Sequence, residues 1–209
     1  MITDKKSCWI FGGAPVSSDY KIIPPSDAYL IAADSGFSLL KRMRLTPDLV
    51  LGDFDSLTED KPTDCEIITA SAEKDDTDTM LAVKTALARG FSDIIIVGSI
   101  GGRFDHTVAN IQTLAYILDN GGKGRLVGEN DTAELLGVGE YRFPKNENMY
   151  FSVFSYSEKS VVTTVGTKYD LNSYRLTNSF PLGVSNEIIS SECFLKIEKG
   201  RVLIIFSKK

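Results

Sequence analysis

Asp93-Ile94-Ile95-Ile96-Val97-Gly98-Ser99-Ile100-Gly101-Gly102-Arg103-Phe104-Asp105-His106 decides how this chain is read. Ile94 to Val97 is a run of β-branched residues bounded by Asp93 and Gly98. Such a run predicts a strand buried on both faces, which occurs where helices cover a parallel sheet. A helix follows, over His106 to Leu118, closed by Asn120-Gly121-Gly122. Working back toward the N-terminus, the same alternation recurs. Cys8 to Phe11, Ala28 to Ala33, Asp48 to Leu51 and Glu66 to Thr69 read as short strands. Phe37 to Met43 has helical spacing. Thr77 to Arg89 is the clearest helix, with Met80, Leu81, Val83, Ala86 and Leu87 on one face and Gly90 as its C-cap. The alternation predicts an α/β domain with a parallel sheet.

From about Arg125 the pattern changes to short alternating segments rich in Val, Thr, Tyr and Phe. Tyr150 to Phe154, Ser160 to Val165, Tyr174 to Thr177, Cys193 to Ile197 and Val202 to Phe206 read as strands, with Lys199-Gly200 a turn between the last two. This half is expected to be a small antiparallel β domain. The domains are expected to be 1–128 and 129–209. Gly121-Gly122-Lys123-Gly124 is a plausible joint, and the strand after it is compatible with either domain.

The chain has 209 residues, is 43% hydrophobic and 24% charged, and carries a formal net charge of -5. That composition supports a buried core, and the acidic balance argues against a nucleic-acid partner. Cys8, Cys65 and Cys193 are too far apart for a zinc or redox motif, and an odd number without a framework fits a reducing compartment. Met1 to Lys6 is polar and charged, which predicts no signal peptide. No apolar run is long enough to span a bilayer, so a cytoplasmic protein is expected.

The carboxylates fall where a parallel sheet binds ligands, just beyond the carboxyl ends of the strands. Asp34 follows the second strand. Asp53 and Asp55 follow the third, in Gly52-Asp53-Phe54-Asp55-Ser56. Asp75, Asp76 and Asp78 follow the fourth and open the long helix, and Asp105 follows the fifth. Convergent carboxylates repel one another unless a cation sits among them, and an all-oxygen set suits Mg²⁺ completed by substrate phosphates. Asp53 and Asp55 point the same way in extended backbone, and Asp75 and Asp78 share a face of a helical first turn. Arg103 and Lys74 are phosphate donors. Gly12, Gly13, Gly98, Gly101 and Gly102 allow close backbone approach with N–H groups available to anions. There is no P-loop run and no dinucleotide glycine fingerprint. Asp76 reads as a helix cap or a solvated residue, and His106, the one histidine, reads either as structural or as a ligand contact.

Ala33-Asp34-Ser35-Gly36, Gly52-Asp53-Phe54-Asp55-Ser56, Lys74-Asp75-Asp76-Thr77-Asp78 and Gly101-Gly102-Arg103-Phe104-Asp105-His106 stand in an order and spacing that resembles the thiamine pyrophosphokinases. Gly166-Thr167-Lys168-Tyr169-Asp170-Leu171 and Gly183-Val184-Ser185-Asn186-Glu187 extend the resemblance over nearly the whole chain. The resemblance implies a Rossmann-like α/β catalytic domain with helices on both faces, followed by an antiparallel β-sandwich domain, working as a homodimer. It implies transfer of a diphosphate from ATP to the thiamine hydroxyl, giving thiamine diphosphate and AMP. By the same resemblance Asp53, Asp55 and Asp78 hold Mg²⁺, and Asp75 assists or takes the hydroxyl proton. Asp34, Lys74, Thr77, Arg103, Asp105 and His106 are assigned to the nucleotide. Ser185 and Asn186 line a thiamine pocket, and Tyr169 stacks on a thiamine ring, where the family often has Trp. Two other readings are a diphosphotransferase acting on another alcohol, such as a pterin, and a non-catalytic nucleotide or thiamine sensor.

Overall fold

The computed structural model describes residues 6–52, 65–69 and 76–209. The chain divides into two compact units, Met1–Glu129 and Asn130–Lys209. No helix among the described residues is long and apolar enough to cross a membrane.

Unit 1 contains a parallel sheet. Its strands are β1 (Ser7–Phe11), β2 (Ala28–Ala33), β3 (Leu49–Gly52), β4 (Glu66–Thr69), β5 (Asp93–Val97) and β6 (Lys123–Val127). The order is β4-β3-β2-β1-β5-β6, and every neighbouring pair is parallel. Ile10 aligns with Ile31 on one side and Ile96 on the other. Strands β2 and β3 are buried throughout, as is Ile94–Val97 of β5. Central parallel strands lose contact with water on both faces, so they can be apolar at every position. The strand after the predicted joint, β6, belongs to this sheet.

Helix α1 (Gly36–Arg42) presses Phe37, Leu39 and Leu40 onto one face of the sheet, where they join Phe11, Leu30, Ala32, Val50, Ile95 and Val97 in one core. The alternate residues Ile10, Ile31, Leu49, Leu51, Ile94 and Ile96 are fully buried on the opposite face, as the period of a strand requires. Helix α2 (Asp78–Ala88) packs against β1, β2, β3 and α3, and α3 (Phe104–Asp119) packs against β6. Helix α3 starts two residues before the expected His106, because Arg103 takes an extended N-cap conformation without a side-chain cap.

Unit 2 is antiparallel. It holds β7 (Asp131–Leu136), β8 (Gly139–Pro144), β9 (Met149–Ser155), β10 (Lys159–Val165), β11 (Leu171–Thr177), β12 (Glu192–Lys199) and β13 (Val202–Lys208). Strands β7-β13-β9 are neighbours, and β11-β10-β12-β8 form a four-stranded sheet. Phe151 and Val153 of β9 and Val202 and Ile204 of β13 share one core with Val162, Leu176, Cys193, Leu195 and Ile197 from the four-stranded sheet. Phe143, Phe151 and Phe206 pack within it at centroid separations of 5.2 to 5.7 Å. Lys199-Gly200 is a turn, as expected, but it carries the chain from one sheet to the other rather than closing a hairpin. Strands β7 and β8 were not expected. Their partly exposed, charge-interrupted sequences carry little strand signal, and the ladders to β13 and β12 create them.

Candidate functional site

The strand order of unit 1 reverses beside β1: β2, β3 and β4 run out on one side and β5 and β6 on the other. Loops leaving such neighbours at their carboxyl ends make the usual ligand crevice of an open α/β sheet. A cavity of about 550 Å³ lies there. Gly12 to Pro15 come from the end of β1, Ala33 to Ser35 from the end of β2, and Gly98 to Arg103 from the end of β5. Thr77 to Thr79 open α2, and His106 and Asn110 project from α3.

The floor is backbone held close. The Gly12 N–H donates to Val97 O at 2.8 Å and the Ala14 N–H to Gly98 O at 2.9 Å. A β-carbon on Gly12 would stand 2.9 Å from Gly98 O, and one on Gly98 would stand 2.8 Å from Gly12 O. Two polar residues on α3 pin the glycine loop above. Asn110 Nδ2 donates to Ser99 O at 2.8 Å, and Thr107 Oγ1 accepts from the Gly101 N–H at 3.2 Å. Asn110 was not singled out in the sequence. The available signal was a buried amide within the apolar face of a helix.

Asp34 occupies the turn from β2 to α1 with φ 49°, a left-handed conformation that aspartate tolerates better than most residues. Its N–H donates to Leu51 O at 2.8 Å and its C=O accepts from the Phe37 N–H at 3.2 Å. Its Oδ1 is buried yet finds no hydrogen-bond partner among the described residues. A buried carboxylate oxygen without a partner is costly, and this one belongs to a residue of the crevice lining. Asp78 lines the same crevice from the first turn of α2.

Thr77 is the N-cap of α2, its Oγ1 accepting from the Met80 N–H at 3.1 Å. Asp76, expected as a cap or solvated residue, instead pairs with Lys84 at 2.6 Å. Arg103 lines the crevice, and its guanidinium clasps Asp105 at 3.2 and 2.6 Å. That hydrogen-bonded charge pair holds the Asp105 carboxyl below the usual range and raises Arg103 further. Asp105 is outside the crevice lining, and its Oδ1 also accepts from the His106 N–H at 3.0 Å. Asp53, Asp55, Lys74 and Asp75 lie outside the described residues. Among the described residues no group of three or more Asp, Glu, His or Cys side chains converges to hold a metal.

In unit 2 the expected substrate residues are brought together. Segment 183–187 runs beside β9: the Val153 N–H donates to Gly183 O at 2.9 Å and the Phe151 N–H to Asn186 O at 2.8 Å. Ser185, at φ 56°, donates its N–H to Ser152 Oγ at 3.0 Å. Asn186 is buried, and its side-chain amide is joined to the backbone of Tyr169 by two hydrogen bonds. Tyr169 itself is 64% exposed.

Fold and crevice define an α/β unit with an open cavity at the carboxyl ends of its strands, followed along the chain by an antiparallel β unit. Residues 22–123 match the family model described as thiamin pyrophosphokinase, catalytic domain, and residues 140–202 match that described as thiamin pyrophosphokinase, vitamin B1 binding domain. The chain is 35% identical over 184 residues to a thiamine pyrophosphokinase of Bacillus subtilis, covering 85% of this chain and 86% of the relative. A crystal structure of thiamine pyrophosphokinase from Bacillus subtilis superposes with a TM-score of 0.88 at 31% identity, over 98% of this chain and all of that one. One from Geobacillus thermodenitrificans gives 0.83 at 25% identity, over 97% of each chain. The chain therefore belongs to the thiamine pyrophosphokinase family.

Proposed function

We propose that the protein transfers a diphosphate from ATP to thiamine, giving thiamine diphosphate and AMP. The observation that carries this reading is the match to both family domains, in order, on a chain whose unit 1 has a crevice at the switch in strand order. In the reaction the thiamine hydroxyl oxygen attacks the β-phosphorus. The bond from that phosphorus to the oxygen shared with the α-phosphorus breaks, and AMP leaves with that oxygen. The hydroxyl proton passes to a carboxylate, for which Asp75 is the candidate, unless it assists at the metal instead. Such displacements rest on positioning and charge neutralisation more than on a strong base.

A magnesium ion suits the donor set: Asp53, Asp55 and Asp78 would offer it only oxygen, and the Asp34 oxygen that has no partner among the described residues belongs to the same crevice lining as Asp78. When bound it supplies positive charge to the phosphate oxygens. Arg103 adds to that charge by turning from Asp105 to phosphate. An exposed ion pair is a weak tie, so this exchange is inexpensive. The backbone N–H groups of the glycine loops and the N-terminus of α2 favour the anionic nucleotide. Thr77 and His106, which line the crevice, and Lys74 complete its surroundings in this reading, while Asp105 acts only through its pairing with Arg103. In unit 2, Tyr169 offers an aromatic face to the cationic thiamine, beside Ser185 and Asn186.

The finer description is a Rossmann-like sheet with helices on both faces, followed by a β-sandwich. Its support is the all-parallel order of unit 1 and the single core shared by the two sheets of unit 2. A homodimer with its sites at the subunit interface belongs to the same reading. The exposed apolar side chains Phe180, Leu182 and Val184 are surface of the kind a partner covers. A cytoplasmic setting agrees with three free cysteines, of which Cys193 has its thiol pushed up by burial to about 12 and so stays protonated.

The test mixes protein, ATP, Mg²⁺ and thiamine and follows AMP and thiamine diphosphate together. Equal yields of both products, abolished by EDTA, are expected. AMP without thiamine diphosphate would move the acceptor to another alcohol, and thiamine binding without AMP would make the protein a sensor.

A further inference from the structure

Asn186 is 8% exposed, and most of its amide is already engaged. Oδ1 accepts from the Tyr169 N–H at 3.1 Å and from the Glu187 N–H at 2.9 Å, filling both of its lone pairs. Nδ2 donates to Tyr169 O at 2.9 Å. The side chain thus clamps both backbone groups of a residue 17 positions away, as a neighbouring strand would. The rest of the Tyr169 loop is held in a similar manner. Asp170 accepts from the Thr167 N–H and the Thr167 hydroxyl, each at 2.8 Å. The Lys168 N–H donates to Glu187 O at 2.8 Å, and Lys168 Nζ reaches the Glu187 carboxylate at 3.1 Å.

What this scaffold presents is exposed. The Tyr169 ring is 64% open to solvent, and Lys168 Nζ stands 5.8 Å from its centroid, so the ring already attracts a cation. Ordering a loop residue costs about 1–2 kcal/mol of backbone entropy. A buried amide that fixes the backbone of an exposed aromatic therefore meets that cost before ligand arrives, which is what a rigid binding platform requires.

We propose that Asn186 is a positioning residue, which sets the Tyr169 ring for thiamine through the Tyr169 backbone rather than by touching thiamine. This rests on reading Tyr169 as the thiamine platform. The test is a double-mutant cycle of Asn186→Ala and Tyr169→Ala, read as thiamine KM, ATP KM and kcat, with Asn186→Asp as an isosteric companion. Asn186→Asp keeps the acceptor and sets a carboxylate oxygen against Tyr169 O.

Each Asn186 variant is expected to raise thiamine KM about tenfold, the usual scale for a broken buried hydrogen bond, with ATP KM and kcat within about twofold of the parent. The double variant is expected to match Tyr169→Ala alone, because a residue that acts through another adds nothing once the other is gone. If the double variant loses the full product of the two single effects, Asn186 acts on thiamine independently and the proposal is overturned. If Tyr169→Ala leaves thiamine KM unchanged, the platform reading fails, and the proposal with it. A readout on the unsubstituted protein stands apart from any folding defect. The Tyr169 amide is expected to exchange with deuterium at least about a hundredfold more slowly than an open amide, and free exchange would overturn the clamp.

Discussion

The two units build their candidate sites by opposite means. In unit 1 topology gathers the site: strands that share a direction deliver their following loops to one rim, and Asp34, Asp78 and the glycine loops meet there although they are distant in sequence. In unit 2 strand direction alternates and gathers nothing. Its candidate site depends on individual side chains, chiefly Asn186 and Asp170, that fasten two irregular segments to each other and to β9. A site of the first kind tolerates loss of a single tie, because the sheet still aims the loops. A site of the second kind is lost one hydrogen bond at a time.

The largest expected effect breaks the chemistry of unit 1. Asp78→Asn keeps the shape of the α2 start and removes the charge, so kcat for diphosphate transfer should fall roughly a thousandfold, in line with loss of one preorganised electrostatic group. Circular dichroism should leave the melting curve near that of the parent. A kcat within tenfold of the parent would take Asp78 out of the machinery.

Two glycines sharpen the contrast. A β-carbon on Gly36 would lie 1.8 Å from Phe11 O, and one on Gly183 would lie 2.0 Å from Val153 O. Alanine improves intrinsic helix propensity at Gly36 by about 1 kcal/mol, but the overlap with rigid backbone outweighs that gain. Both Gly36→Ala and Gly183→Ala should cost about 3 kcal/mol in denaturant titration, the scale of overpacking. Their kinetic signatures should differ. Gly36→Ala shifts the Asp34 turn and should raise ATP KM, whereas Gly183→Ala lifts segment 183–187 from β9 and should raise thiamine KM. Identical signatures would end the division of labour between the units.

Asn110→Ala probes the tolerance of the first kind of site. It removes the bond to Ser99 O and leaves a buried carbonyl unpaired, which should cost about 2 kcal/mol in stability. Because β5 still aims the glycine loop, ATP KM should rise no more than about fivefold, equivalent to roughly 1 kcal/mol. An ATP KM raised a hundredfold would mean that this loop too hangs on a single tie.

The smallest effect is a pH dependence far from either site. Arg89 hydrogen-bonds Glu66 at 2.9 and 2.6 Å and holds its carboxyl below the ordinary 4.5. The folded state therefore releases this proton at lower pH than the unfolded chain. The stabilisation is present in full above about 4.5 and is lost as pH falls through the depressed folded value. Half of the Glu66 side chain is exposed, so the contribution is screened. Glu66→Gln should destabilise by about 0.5 kcal/mol at pH 7 and by nothing measurable near pH 3. A deficit that persists at pH 3 would assign the effect to packing instead of charge.

How much could be read in advance followed the same division. The run Ile94–Val97, short, β-branched and bounded by Asp93 and Gly98, reads as a doubly covered strand, and the alternation around it extends the parallel sheet to its neighbours. Strands β7 and β8 could not be read, because a partly exposed, charge-interrupted sequence becomes a strand only when a partner ladder exists. Asp34 and Asp78 could be placed on one rim. That Asp34 Oδ1 is buried without a partner among the described residues could not be read, since it depends on how the backbone closes around the turn.

By itself the sequence determined the α/β and antiparallel β character of the two units, the rim of strand ends where the crevice lies, and the residue types available there, because hydrophobic period and motif order are local properties of the chain. Only the tertiary structure decided that Asp105 is held by Arg103, that Thr77 caps α2 while Asp76 pairs with Lys84, and that Asn186 clamps Tyr169. Each of these side chains has several partners within reach in an unfolded chain, and the folded backbone decides which one it meets. For buried Asn186 the choice is strict, because a bond not made there would leave polar groups buried and unpaired.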